Sequence, residues 1–189
     1  IAMEYVPGIP LRDFTDPKRL LAPKRALELC ASTAEALDYA HNQGVIHRDI
    51  KPANLLYNPK DGSLKISDFG VARMTDNNRT KTGIVLGTPM YMSPEQLGAE
   101  DLTGLSDLFS LGVTLYELLI GEVPFKASNI AVLMTKITTE DPSPVSSRRT
   151  GIPPSVDAVL AKALAKQPEN RFSCGADMAI ALRYCERFY

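Results

Sequence analysis

The sequence has no tryptophan, only two histidines and three cysteines, and a formal net charge of −1 at pH 7. Three cysteines without a CxxC pair disfavour a disulfide framework and favour a reducing compartment. Two histidines are too few for a zinc site of standard type. Because basic residues are not in excess, the charge gives no indication of binding to nucleic acid or to an anionic membrane. The longest apolar stretch is too short to cross a bilayer.

The 189 residues are 44% hydrophobic and 23% charged, which is typical of one globular domain. Apolar residues at a spacing of three and four predict six helices. These helices cover residues 11–21, 24–42, 106–120, 128–138, 155–166 and 173–187. Two short strands, 54–58 and 64–67, flank a turn sequence at 59–62 and predict a hairpin. The pattern therefore predicts an α+β fold that is mostly helical, with a long loop over 68–91.

One segment carries the most specific pattern of the chain, the sequence HRDIKPAN at 47–54. Asp-Phe-Gly follows at 68–70, and Ser-Pro-Glu stands at 93–95. In wording and spacing these motifs resemble the catalytic loop and the following landmarks of protein kinases. The wording of 87–96 looks most like bacterial Ser/Thr kinases. The resemblance covers the whole chain, which is identified as a protein-kinase-like C-terminal lobe of the eukaryotic-like (Hanks-type) Ser/Thr kinases, bacterial type.

Four of these residues have the chemistry that phosphoryl transfer needs, which is positioning and charge neutralisation. Asp49 offers a carboxylate that orients a hydroxyl, and Lys51 lies two residues on, so its ammonium points to the same side of an extended loop. Asn54 and Asp68 offer the hard oxygen ligands that Mg²⁺ or Mn²⁺ requires, with ATP phosphates and water completing the coordination. By resemblance, Thr88 belongs to the same catalytic group and, with Lys51, indicates a Ser/Thr kinase.

The resemblance also implies where the adenine of ATP binds. Met3 corresponds to the gatekeeper position, and Glu4 and Val6 to the hinge backbone that pairs with adenine. Leu56 corresponds to the residue packed beneath the adenine ring. The expected cofactors are therefore ATP and Mg²⁺.

Structural roles follow from the same resemblance. His47 and Phe69 are expected to pack together and to link the two loops. Asp107 is expected to anchor the catalytic loop through the loop's backbone. Glu95 is expected to pair with Arg171.

Regulation is expected in the loop that follows Asp-Phe-Gly. Arg48 and Arg73 would form a receptor for a phosphate group. Thr80 and Thr82 are the candidate phosphorylation sites, because both lie in that loop.

No glycine-rich GxGxxG loop precedes the first motif, and there is no VAIK-type strand lysine with a helix glutamate to pair with it. Residues 1–189 are therefore expected to be a hinge plus a C-terminal lobe without the N-terminal lobe, and to be inactive or nearly so alone. The expected partners are that N-terminal lobe, a protein substrate with Ser or Thr, and a second copy during autophosphorylation. Nucleic acid and membrane contacts by this segment are not expected, and a cytoplasmic location is predicted, with any membrane anchor of the parent protein lying outside the segment.

A second function remains open at this stage. The chain would then be a pseudokinase-like interaction module that binds proteins without catalysis. The four intact polar residues of the catalytic group favour the enzyme, because a binding module has no need of all of them. The missing lobe favours the module for this chain alone.

Overall fold

The computed structural model describes residues 6–69 and 89–189. Several predictions fall outside these residues. They concern the apolar start of the chain with Met3 and Glu4, and the loop residues Arg73, Thr80, Thr82 and Thr88.

Six α-helices occur in the described part of the chain. They are α1 (Pro23–Asn42), α2 (Pro94–Gly98), α3 (Gly104–Ile120), α4 (Ile130–Thr139), α5 (Pro154–Ala163) and α6 (Gly175–Glu186). Three of them, α2, α3 and α4, begin after a residue whose side chain caps the helix. The side chain of Thr103 accepts a hydrogen bond from the backbone of Leu105, so α3 begins two residues before the predicted Ser106. Asn129, and not Ser128, caps α4.

The predicted helix over 11–21 is wrong. Only a short 3₁₀ turn forms there, from Leu11 to Phe14. Two features end it: the Thr15 hydroxyl donates to the Arg12 carbonyl, and Pro17 disfavours a helical conformation for the residue before it. By contrast, α2 lies between the predicted loop over 68–91 and the predicted helix that begins at 106, where no helix was expected. Its sequence signal is a capping box formed by Ser93 and Gln96.

A small antiparallel sheet lies beside the helices. It contains β1 (Ile9–Pro10), β2 (Leu55–Tyr57) and β3 (Leu64–Ile66) in the order β1-β2-β3. The predicted hairpin is confirmed, since β2 and β3 pair with each other. The sequence did not indicate β1, because its prolines and glycine suggest a break, and a strand with Pro is tolerated only at a sheet edge. The α+β class with mostly helical content is confirmed.

The core is built around α3. Leu108, Leu111 and Leu115 on this helix are fully buried, which agrees with its apolar residues lying nearly all round the axis. α1 packs between α3 and α6 and contributes Leu27 and Leu37 to the same cluster. Within residues 6–69 and 89–189, no helix has both the length and the apolarity to span a membrane.

Gly175 allows α6 to approach α1 closely. An added Cβ there would overlap the backbone oxygen of Ala34 and lie 2.9 Å from the Cβ of Asp38. We therefore expect Gly175→Ala to lower the free energy of unfolding by about 1–3 kcal/mol, measured by urea denaturation. Gly98→Ala is the matched control, because its new Cβ would meet only the flexible end of Glu100. Equal unfolding midpoints for both variants would contradict this tight helix contact.

Candidate active site

The loop between α1 and β2 is held at the start of α3 by one buried carboxylate. Asp107 is 1% exposed and accepts hydrogen bonds from the backbone amides of His47 (2.8 Å) and Arg48 (2.7 Å). The Nε2 atom of His41 lies 2.8 Å from the same carboxylate. A carboxylate this deeply buried needs such donors, because burial without them is costly. Asp107 therefore fixes the backbone at the start of the HRD sequence.

Arg48 adopts a backbone conformation that is rare for a residue with a side chain. Its φ is +71°, in the left-handed region, which costs about 1–2 kcal/mol for such a residue. Asp107 holds its N–H, and the side-chain amide of Gln96 donates to its carbonyl at 2.9 Å. These contacts from two different helices support the conformation directly before Asp49.

Asp49 lies in a polar cluster at the surface. The Lys51 ammonium is 2.7 and 3.0 Å from the two carboxylate oxygens of Asp49. The side-chain amide of Asn54 donates to both the carbonyl and a carboxylate oxygen of Asp49, at 2.8 and 3.0 Å. Because the Asp49 side chain is 42% exposed, a substrate group can reach it. The structure thus brings these three predicted residues together.

Asp68 is placed next to Asn54 by the β2–β3 hairpin. Ser67 donates through its backbone N–H (2.9 Å) and its hydroxyl (3.2 Å) to the Asn54 carbonyl. The same hydroxyl lies 3.0 Å from the Asp68 carboxylate. Asp68 has a φ of +63° and is exposed, at the same end of the hairpin as Asn54.

These two residues fit a magnesium ion. Both hydrogens of the Asn54 amide nitrogen are used on Asp49, which leaves its side-chain oxygen as an acceptor. The Asp68 carboxylate supplies a second hard oxygen. Mg²⁺ is commonly held by one or two such protein groups together with substrate phosphates and water. Among the described residues, no three His, Cys, Asp or Glu side chains cluster as an alternative metal site.

His47 links the catalytic loop to the segment after β3. Its Nε2 lies 2.8 Å from the carbonyl oxygen of Ser67, and its Nδ1 accepts from the backbone N–H of Asp49 at 3.2 Å. The ring of Phe69 meets the His47 ring edge-on at a centroid distance of 4.6 Å. Both ring nitrogens of His47 form hydrogen bonds with the backbone, which favours a structural role over proton transfer.

Glu95 and Arg171 form a bidentate ion pair in the interior. Their N–O distances are 2.7 and 2.8 Å, and the Ser106 hydroxyl adds a hydrogen bond of 2.7 Å to Glu95. Burial alone would raise the pKa of Glu95, but the hydrogen bonds from Arg171 and Ser106 outweigh it and lower the pKa to about 2. The pair ties α2 to the start of α3 and to the segment before α6.

The structure describes two of the four residues that are predicted to contact adenine, Val6 and Leu56. Leu56 is half-buried and lies on the face of β2 opposite to the buried Leu55 and Tyr57. Val6 is half-buried shortly before β1.

Sequence reasoning missed two hydrogen bonds of Tyr91 that fix the segment after residue 88. The Tyr91 hydroxyl donates to the Glu117 carboxylate at 2.6 Å, and the Ser110 hydroxyl donates to the Tyr91 carbonyl at 2.7 Å. Burial, together with the Glu117 carboxylate, strongly raises the pKa of Tyr91, so this phenol stays a donor. No local sequence pattern predicts these hydrogen bonds, because Ser110 and Glu117 both lie on α3, 19 and 26 residues after Tyr91.

A family model described as the protein kinase domain matches residues 1–184 of the chain. The serine/threonine-protein kinase PknB of Mycolicibacterium smegmatis is 44% identical over 181 residues, which is 94% of this chain and 29% of PknB. A probable serine/threonine-protein kinase of Streptomyces coelicolor is 39% identical over 188 residues, which is 98% of this chain and 28% of that protein. The chain therefore spans less than a third of the length of these relatives.

A solved structure agrees with the sequence comparison. The crystal structure of the PknI kinase domain of Mycobacterium tuberculosis, a double mutant, matches with a TM-score of 0.76 at 26% identity. The match covers 97% of this chain and 65% of the PknI chain.

Proposed function

Because this chain belongs to the protein kinase domain family, we propose that it is the catalytic lobe of a serine/threonine protein kinase. The reaction would transfer the γ-phosphoryl group of ATP to a Ser or Thr hydroxyl of a protein. The observation that carries this proposal is the placement of Lys51 and Asn54, each within 3.0 Å of Asp49. This group offers the orientation and the positive charge that phosphoryl transfer requires.

Each residue has one task in the proposed reaction. Asp49 accepts a hydrogen bond from the substrate hydroxyl and orients its oxygen toward the γ-phosphorus. The new oxygen–phosphorus bond forms as the bond to the β–γ bridging oxygen breaks, ADP leaves, and the hydroxyl proton passes to the Asp49 carboxylate. Lys51, beside Asp49, offsets negative charge on the group in transit. Asn54 and Asp68 would hold Mg²⁺, which supplies positive charge to the phosphates.

The adenine contacts at Met3, Glu4, Val6 and Leu56 are part of this proposal, and so is the role of Thr88. The half-buried Val6 and the outward face of Leu56 on β2 support it for two of these residues. The bound nucleotide would then extend from β2 toward Asp68.

The phosphate receptor for regulation is also a proposal. It consists of Arg48 and Arg73, with Thr80 and Thr82 as the modified residues. Arg48 directly precedes Asp49, so a phosphate bound there would act next to the catalytic carboxylate.

The complete enzyme would need an N-terminal lobe. An apolar cavity of about 450 Å³ supports this, because it lies on the outer side of α1 and is lined by Tyr39, Val45, Ile66 and Phe69. Three of these side chains are large and exposed: Tyr39, Val45 and Phe69. We place the N-terminal lobe of the complete kinase on this surface, and the chain alone would transfer phosphate poorly or not at all. A cytoplasmic location belongs to the same proposal.

Identification of the phosphorylated amino acid tests the proposed function. The complete kinase domain would be incubated with γ-labelled Mg·ATP and a generic protein acceptor. Acid hydrolysis would then separate phosphoserine, phosphothreonine and phosphotyrosine. We expect label in phosphoserine or phosphothreonine. Label in phosphotyrosine would refute the substrate class, and a folded, nucleotide-binding protein without transfer would favour the interaction module.

A further inference from the structure

Gln96 connects α2 with the catalytic loop through its side-chain amide. Its oxygen accepts a hydrogen bond of 2.9 Å from the backbone N–H of Ser93, which completes the capping box of α2. Its nitrogen donates to the carbonyl of Arg48, also at 2.9 Å. One side chain therefore joins the backbone at the start of α2 to the backbone of Arg48, which lies 48 residues before Gln96 in the sequence.

The carbonyl that Gln96 contacts belongs to the peptide group between Arg48 and Asp49. The preceding N–H of Arg48 is held by Asp107 at 2.7 Å, from the start of α3. Arg48 lies between these two contacts with a φ of +71°. The orientation of the peptide that leads into Asp49 is therefore set from two sides, by α3 and by α2.

Helix α2 is itself held in place by contacts with the interior of the lobe. Glu95, the neighbour of Gln96, is buried and paired with Arg171 and Ser106. Gln96 is half-buried and points instead to the loop. Consecutive residues of α2 thus join the interior of the lobe to the peptide before Asp49.

We propose that Gln96 is a positioning residue for phosphoryl transfer, which holds the Arg48–Asp49 peptide so that the Asp49 carboxylate faces the substrate hydroxyl. This inference rests on the proposed function. Gln96 touches neither substrate nor nucleotide in this arrangement and acts through Asp49. Displacements of about 1 Å in a reacting group lower rates by up to about 10²-fold, so a peptide held loosely would be sufficient to impair the reaction.

Replacement by glutamate separates this role from helix capping. A glutamate oxygen accepts from Ser93 as well as the amide oxygen does, and Ser-x-x-Glu is itself a standard capping box. An ionised carboxylate has no hydrogen to donate to the Arg48 carbonyl. Gln96→Glu therefore keeps the helix cap and loses only the contact with the loop. Gln167→Glu adds the same charge at an exposed position and serves as the control.

The test uses the complete kinase domain and compares kcat, the KM for ATP and the urea midpoint of the three proteins. For Gln96→Glu we expect kcat to fall by about 10- to 100-fold, with KM and the midpoint close to the wild type. Gln167→Glu should match the wild type in all three. An unchanged kcat in Gln96→Glu would overturn the inference. A variant that no longer unfolds cooperatively would also overturn it, since Gln96 would then support the lobe as a whole.

A second measurement separates this inference from the proposed function. Backbone amide exchange of residues 47–50 can be followed by mass spectrometry whether or not the domain transfers phosphate. We expect faster exchange in Gln96→Glu over 47–50 and unchanged exchange over α3. Unchanged exchange over 47–50 would refute the role of Gln96. An inactive wild-type domain would instead refute the proposed function.

Discussion

Replacing Lys51 with methionine is expected to lower kcat of the complete kinase domain by about 10²- to 10³-fold, the usual cost of losing one preorganised charged group. The Lys51 ammonium lies 2.7 Å from the Asp49 carboxylate, and the Lys51 side chain is only 21% exposed, so the surrounding loop fixes its position. Methionine keeps the length of the side chain and removes the charge. The effect should appear in kcat with little change in the KM for ATP, because the charge acts mainly on the group in transit.

Lys60→Met is the matched control for this variant. Lys60 is exposed in the turn between β2 and β3, so the substitution removes the same charge away from the cluster around Asp49. We expect its kcat to equal that of the wild type. A Lys51→Met enzyme as active as the control would exclude charge neutralisation by Lys51.

Arg171→Ala is expected to lower the free energy of unfolding by about 3–5 kcal/mol, because it leaves the Glu95 carboxylate buried without its partner. The Arg171 and Glu95 side chains are 0% and 5% exposed, and the pair has bidentate geometry. The loss can be measured by urea denaturation of the chain.

The exposed pair between Arg183 and Glu35 provides the control. Both of its side chains are about half exposed, so Arg183→Ala should lower the free energy of unfolding by no more than about 1 kcal/mol.

The pH dependence of stability gives a further check. The pKa of Glu95 is lowered from 4.5 to about 2 in the folded chain, so its stabilising effect is present above pH 4.5 and lost as the pH falls toward 2. The difference in free energy of unfolding between the wild type and Arg171→Ala should therefore become smaller as the pH falls from 4.5 toward 2. If Arg171→Ala lowered the free energy of unfolding at pH 7 by less than about 1 kcal/mol, the importance of the buried pair would be contradicted.

Local sequence patterns predicted most of the long elements. The helical spacing of apolar residues gave α1 and α3 to within two residues, and the turn sequence at 59–62 gave the hairpin. The prediction of a helix over 11–21 was wrong, because the spacing of apolar residues does not account for the way Pro17 disfavours a helical conformation in the residue before it. The short α2 was overlooked because five residues show no periodicity, although Ser93 and Gln96 carry a capping signal.

The candidate site was accessible from motifs, and the family resemblance also predicted the contacts of Asp107 with the loop backbone and of Glu95 with Arg171. Other supporting contacts were not predicted. Asp49, Lys51 and Asn54 lie within six residues of one another, so their contacts are local. The contacts of His41 with Asp107 and of Gln96 with Arg48 join residues 66 and 48 positions apart. Periodicity and spacing hold no information on such pairs. They depend on how α1, α2 and α3 pack, which only the folded structure shows.

The most direct test of the central claim is phosphate transfer from labelled Mg·ATP by the complete kinase domain, measured beside its Asp49→Ala variant. We expect transfer by the wild type and a rate about 10²- to 10⁴-fold lower in the variant, with nucleotide binding retained in both. Equal transfer rates in the two proteins would contradict the role of Asp49. Absence of transfer by a folded wild type that binds Mg·ATP and carries phosphate on the loop that follows Asp-Phe-Gly would contradict the kinase function itself.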